Sequence, residues 1–218
     1  DAWRLTADYF RVSISDRFAQ TSTFELSDDE VDQLVSEGIT SAANLAEFRF
    51  FTNDFETLTQ GIDVVANYSP GPSTNVSVLF NYTGTEVTDR NPEVVDDARV
   101  DQLERALPRF RGVLSLLQDL GPVNGLLRGT YYDGFYDAEL SDPEQRYGSS
   151  FIIDAEVSVP LMQNATLAVG VNNLLNTYPE ENPGASGLGA LYPESTPFGF
   201  NGGFYYIRLS YDWLWNSR

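Results

Sequence analysis

The 218 residues contain no cysteine, no histidine and no lysine. Without cysteine there is no disulfide framework and no thiolate nucleophile or metal ligand. Without histidine the usual general base, the commonest metal ligand and any Ser-His-Asp triad go together. All 13 basic residues are arginine, set against 32 acidic ones, and the resulting net charge of −19 argues strongly against a nucleic-acid partner, which needs a basic surface. No run of about 18 apolar residues exists, so a transmembrane helix is excluded. The N-terminus lacks a basic-then-apolar leader, so no signal peptide is expected, and an exported protein would carry this chain as a processed or truncated piece. No set of residues positions a base, a nucleophile and an orienting group, so an enzyme is not expected. Neither a cofactor nor a metal site is expected; the oxygen-rich stretch 137–144 has no D-x-D-x-D-G spacing, and Gly199, Gly202 and Gly203 lack the strand-then-helix context of a phosphate loop.

What is present is alternation. From Phe151 the chain places Phe151, Ile153, Ala155, Val157 and Val159 on one face and Ile152, Asp154, Glu156 and Ser158 on the other. Gln163-Asn164 turns it back, with Ala165, Leu167, Val169 and Val171 sharing a face, and Tyr205, Ile207, Leu209, Tyr211 and Trp213 repeat the pattern near the end. Each strand has one apolar face that must be covered. A mean hydropathy of −0.26 does not exclude lipid as the cover, because only alternate residues of a membrane strand face it.

Taken in order, the pattern predicts eight strands, near 2–18, 48–68, 75–83, 106–117, 123–136, 151–161, 165–176 and 201–213. In the first, the apolar phase shifts between Tyr9 and Phe10, which reads as a bulge. Gly61 reads as a bend or bulge in the second. Between them, LSDDEVDQLVSEG has helix grammar: Ser27 as N-cap, Glu30 as its capping-box partner, Leu26 and Val31 as a staple, and Gly38 as the stop. A single helical turn is expected around Val100 to Leu103. The connections alternate in length. Turns at 69–73, 119–122 and 162–164 are short; the connections 19–46, 84–105, 137–148 and 177–199 are long. All long connections therefore lie at one end, as in outer-membrane barrels, giving an all-β fold, an antiparallel transmembrane β-barrel with long loops on one side.

Those four connections hold 20 of the 32 acidic residues and four arginines, Arg90, Arg99, Arg105 and Arg146, so one rim carries about −16 of the −19. This is either a solvated, salt-adapted surface or a pole that attracts cations within a screening length of about 8–10 Å. Asp28-Asp29 and Asp96-Asp97 read as parts of that charge run rather than acid/base pairs. Strand parity puts Arg109, Arg111, Arg128, Asp154, Glu156 and Arg208 on the interior face, where charge pairing is the default expectation.

VNNLLNTYPEENP (171–183) followed by TPFGFNGGFYYIRLSYDW (196–213) resembles the C-terminal end of TonB-dependent outer-membrane receptors, and YFRVSISDRF (9–18) and TLTQGIDVVANYSP (57–70) are similar to strands further upstream in such barrels. One departure is that Trp213 or Trp215 is followed by Asn216, Ser217 and Arg218, where the family usually ends on an aromatic residue. The resemblance implies that residues 1–218 are the C-terminal portion of a larger, plugged barrel of about 22 strands, with the plug and earlier strands absent. It implies residence in the bacterial outer membrane and uptake of a scarce nutrient such as an iron–siderophore, cobalamin or oligosaccharide. The energy-coupling protein TonB would act through the plug. Loop aromatics Tyr178, Tyr192 and Phe198 are the candidate ligand contacts. The alternative reading of the eight strands is a complete small outer-membrane barrel with an adhesive or structural role.

Overall fold

The computed structural model describes residues 2–45, 47–137, 145–183 and 189–213. Eight strands form one antiparallel sheet in chain order: β1 (Trp3–Ile14), β2 (Phe55–Gly71), β3 (Thr74–Arg90), β4 (Phe110–Asp119), β5 (Asn124–Tyr132), β6 (Ser150–Met162), β7 (Ala165–Asn172) and β8 (Phe204–Tyr211). Each neighbour pair is joined by the connection between them, a meander with no crossover. Among the described residues, β1 pairs only with β2 and β8 only with β7, so the sheet presents two free edges. Residues 138–144 of the third connection, 184–188 of the fourth and those after Trp213 fall outside the described set.

The strands' lengths differ from the sequence expectation in one informative way. β2 and β3 are 17 residues each and stay paired from Phe55 and Arg90 down to Gly71 and Thr74, so their turn is only Pro72-Ser73 and β3 runs well past Thr83. The Thr, Gly and Glu residues of 83–90 hide the strand from a hydrophobic-pattern reading, because beyond the bilayer neither face has to be apolar. At the other end of the wall, the tight turn after β4 is closed by Leu120 N–H to Val123 O at 2.9 Å and Gly121 N–H to Asp119 Oδ1 at 2.7 Å. Gly121 sits there at φ +87, a conformation that favours glycine.

The expected bulge at Tyr9-Phe10 does not occur: β1 and β2 stay in register from Trp3↔Tyr68 to Ile14↔Thr57. Phe10 is paired with Gly61, and a Cβ at Gly61 would lie 2.5 Å from Phe10 Cζ. The glycine makes room for an aromatic ring on the interior face, so the shift in apolar phase needs no extra residue and Gly61 is neither bend nor bulge.

Register assigns every strand residue to a face. One face joins Leu5, Val64, Val78, Leu114, Leu127, Val157, Val169 and Ile207 in an unbroken apolar surface, much of it exposed in the isolated chain. Two aromatic belts bound it. Tyr9, Tyr82, Phe110, Tyr131, Phe151 and Tyr205 lie toward the long loops, with Phe110 between Phe80 (4.7 Å) and Tyr131 (5.4 Å). Trp3, stacked on Tyr68 at 4.0 Å, and Tyr211 with Trp213 lie toward the short turns. The six residue steps from Trp3 to Tyr9, or from Tyr205 to Tyr211, span about 20 Å along the strand. This is the lipid-facing surface. β2 and β3 continue about 25 Å past the upper belt.

The opposite face is polar and cross-linked. Asn81 Nδ2 donates to Asp63 Oδ1 at 2.6 Å, and the Thr59 and Thr85 hydroxyls lie 3.0 Å apart. Glu156 on β6 reaches past β7 to β8, accepting Arg208 Nη2 at 2.8 Å on each oxygen and the Tyr206 hydroxyl at 2.6 Å. Gly170 lies between them on β7, and a Cβ there would sit 2.9 Å from Tyr206 Cε1. The charge pairing expected for Glu156 and Arg208 is thus present.

Candidate ligand-binding site

The long connections are loop 1 (15–54), loop 2 (91–109), loop 3 (133–149) and loop 4 (173–203), all at one end of the sheet. In loop 1, α1 (Asp28–Ser36) begins as the sequence predicts. Ser27 caps it, Glu30 Oε2 accepts the Ser27 N–H at 2.9 Å, and Gly38 follows at φ +96. Those hydrogen bonds, that of the Ser27 hydroxyl first, hold the Glu30 carboxyl below its ordinary range. In loop 2, α2 (Asp97–Arg105) is nine residues long where a single turn is expected, capped by Asp96 Oδ1 accepting Arg99 N–H at 2.8 Å. Both paired carboxylates therefore sit at helix N-termini, where the macrodipole favours them.

The loops fold back over the interior face instead of standing clear of it. Arg17 Nη1 donates to the buried Thr57 Oγ1 on β2 at 3.1 Å, and Glu104 of α2 accepts the Val87 N–H of β3 at 2.9 Å. Phe198 of loop 4 stacks on Tyr132 at 5.8 Å, and the Arg111 guanidinium lies 5.3 Å from the Tyr132 ring. Loops also hold one another. Ser22 N–H donates to Val94 O at 3.0 Å, and Asp96 N–H to Ser22 Oγ at 2.9 Å, joining loops 1 and 2. The Tyr147 hydroxyl donates to Asn182 Oδ1 inside a buried junction of loops 3 and 4. Burial, then the nearby Asp137 and Glu180 carboxylates, pushes the Tyr147 hydroxyl above the ordinary tyrosine range.

Three hollows of about 400 to 460 Å³ result. The outer, of about 430 Å³, lies between the end of α2, the start of β4 and loop 3, and is lined by Arg105, Arg109, Asp133, Tyr136, Arg146 and Tyr147 among others. The second lies on the wall under Phe198, with Arg111, Arg128, Tyr132 and Asp154. Asp154 Oδ1 is engaged by the Asn173 N–H at 2.9 Å. The third, of about 460 Å³, lies between α2 and β3.

Of the sequence candidates, Phe198 closes the second hollow, whereas Tyr178 and Tyr192 lie elsewhere in loop 4, in a row with Phe200 (6.4 and 6.0 Å between successive rings). The motif that carries the resemblance builds this loop's base. Asn173 and Asn176 both adopt φ 55; Asn173 Oδ1 accepts Thr177 N–H at 2.8 Å, and Asn176 Oδ1 accepts Gly203 N–H at 2.8 Å, tying the start of loop 4 to its end. The convergence of Arg105, Arg109 and Arg146 on the outer hollow escaped sequence reasoning. Arg105 and Arg109 are neighbours in the chain, but Arg146 lies some 40 residues further on. Among the described residues, no group of carboxylates is placed to hold a metal ion.

A membrane-facing apolar band, a polar interior and inward-folded loops at one end define part of the wall of a transmembrane β-barrel, with loops folded over its interior face. Residues 1–174 match the family described as TonB dependent receptor-like, beta-barrel, and the chain belongs to that family. Three solved structures of similar fold are the copper transporter OprC (12% identity, TM-score 0.61, 97% of this chain and 30% of that one), the FrpB iron transporter from Neisseria meningitidis (14%, 0.62, 96% and 28%) and the ferric-catecholate import receptor Fiu from K12 E. coli (12%, 0.60, 97% and 25%). The chain spans about a quarter to a third of their lengths. At these identities the likeness is one of fold. No curated protein matches the chain significantly.

Proposed function

We propose that this chain supplies the C-terminal wall and extracellular loops of an outer-membrane active-transport receptor for a scarce nutrient: an iron–siderophore, a cobalamin or an oligosaccharide. The observation that carries the reading is the inward fold of the loops. α2 on β3 and Phe198 on Tyr132 leave hollows bounded by loop on one side and barrel wall on the other, the place where a ligand captured from outside would rest before entering the lumen. Family membership and transporters of the same fold support it. The two free edges belong with further strands of a larger barrel, and a plug in the rest of the receptor would meet TonB at the inner side. Of the loop aromatics, Phe198 contacts ligand in this reading, whereas Tyr178 and Tyr192 line none of the three hollows.

The test is energy-dependent uptake by cells carrying or lacking the whole native gene. They are offered ferric siderophores, cyanocobalamin and maltooligosaccharides in turn, with and without TonB. Uptake of one of them that needs both the gene and TonB supports the proposal. Equal uptake of all of them in the deletion strain contradicts it.

A further inference from the structure

The chain holds two asparagines followed by glycine, Asn124-Gly125 and Asn201-Gly202. In this dipeptide the glycine nitrogen, unshielded by a Cβ, can reach the side-chain amide carbon of the residue before it, and the attack is intramolecular. The fold treats the two differently. Gly125 lies inside the sheet, paired with Gln118 on β4 and with Val157 on β6, so its N–H belongs to a ladder and its backbone is held extended. Asn201 is exposed near the end of loop 4, and among the described residues neither its side chain nor the Gly202 N–H has a hydrogen-bond partner. Nucleophile, amide and water are therefore all available at 201, whereas at 124 the nucleophile is engaged.

Loop 4 is fastened at this same point. Gly203 N–H donates to Asn176 Oδ1 at 2.8 Å, the tie between the loop's start and its end. Gly202, at φ +70, lies against the Tyr178 ring, and a Cβ there would sit 2.6 Å from Tyr178 Cζ. A Cβ at Gly203 would sit 3.0 Å from Asn173 O. Two residues without side chains thus carry the main chain past the 173–178 segment into β8, with no space for added backbone.

We propose that Asn201-Gly202 is a site of spontaneous deamidation whose isoaspartyl product unfastens loop 4 from β8. The Gly202 nitrogen bonds to Asn201 Cγ, the Cγ–Nδ2 bond breaks, and Nδ2 leaves as ammonia with the Gly202 proton. One water then opens the succinimide at either carbonyl. Opening at the side-chain carbonyl leaves aspartate with the main chain unchanged. Opening at the main-chain carbonyl leaves isoaspartate, in which the main chain runs through Cβ and Cγ and is longer by one methylene, about 1.5 Å. That methylene falls directly before the two glycines, so Gly203 N–H no longer meets Asn176.

The proposal is independent of what the receptor carries. Its test is ageing of the purified whole receptor at mildly alkaline pH and growth temperature, beside a sample in denaturant. Trypsin cuts this chain only at arginine, placing Asn201 in peptide 147–208 and Asn124 in peptide 112–128, each with a single Asn-Gly. Mass spectrometry follows the change from amide to acid and the share of isoaspartate in each. In denaturant the two sites should convert at similar rates; in the folded receptor Asn201 should convert at least about tenfold faster than Asn124. Amide exchange across 173–178 and 202–204 should quicken in the aged receptor and stay slow in Asn201→Gln after the same incubation. Freshly prepared Asn201→Asp, which has the charge without the methylene, should also stay slow. Heat-modifiable mobility on gels reports that the barrel is formed in each sample. Conversion at Asn201 no faster than at Asn124 in the folded receptor overturns the modification site. Isoaspartate at 201 with unchanged exchange in loop 4, or equal quickening in aged Asn201→Gln, overturns the unfastening.

Discussion

The two faces of this sheet are built from the same strands, one residue apart, and obey opposite rules. On the outer face, residues from eight strands form a band without a charge between its aromatic belts, because nothing in hydrocarbon can satisfy one. On the interior face, charge is admitted wherever a partner is within reach, as for Glu156 with Arg208 and Tyr206, and bulk is admitted wherever a glycine stands opposite, as for Phe10 over Gly61 and Tyr206 over Gly170. The comparison teaches that the outer face is governed by its solvent and the inner face by individual neighbours. Sequence reasoning follows the first rule with ease and the second only in part.

The contrast is broken most severely by moving a charge across it. Val157→Arg, in the middle of the outer band, should destabilise the membrane-inserted barrel by about 2–4 kcal/mol, whereas Ser158→Arg, one residue on and beside Glu156, should cost less than about 1 kcal/mol. Denaturant unfolding of the receptor in lipid vesicles measures both. Next is Gly170→Val. Its side chain would meet the Tyr206 ring and displace it from Glu156, at a cost of about 1–3 kcal/mol by the same assay.

The loops sharpen the comparison because they are governed by neither lipid nor lumen. Tyr147→Phe removes the donor to Asn182 and should loosen the junction of loops 3 and 4 by about 1–2 kcal/mol, seen as faster amide exchange in both loops. The Tyr147 pKa is raised on folding, so its contribution is complete below the ordinary tyrosine value of about 10 and is lost as pH rises through the folded value. The junction should open on alkaline titration in the native protein at lower pH than in Tyr147→Phe. The smallest effect is expected at α1. Glu30 has a lowered pKa, so its share of the capping box is present above the ordinary glutamate range and fades as pH falls through the folded value. Ser27→Ala should speed amide exchange within α1 and leave the sheet untouched.

Strand number, order, the alternation of long and short connections and the capped helix at Ser27 were legible because each rests on local pattern. The extent of β3 was not, since 83–90 lies above the bilayer where Thr and Gly pair as well as Val does. α2 was underestimated because Asp96 reads equally as charge run and as cap. The candidate site was the least legible part. Phe198 was found by its chemistry, but its seat on Tyr132, the separation of Tyr178 and Tyr192 from it, and the convergence of Arg105, Arg109 and Arg146 are products of loop folding over distances of tens of residues.

The central claim is that the odd-numbered residues of β6 face lipid and the even-numbered ones face the barrel interior. The 218 residues hold no cysteine, so single cysteines at 155 through 159 can be spin-labelled one at a time in the membrane-embedded protein. The account predicts alternation: labels at 155, 157 and 159 relaxed by lipid-dissolved oxygen, those at 156 and 158 by a water-soluble nickel chelate. Uniform accessibility along the five positions, or alternation of the opposite phase, would contradict it.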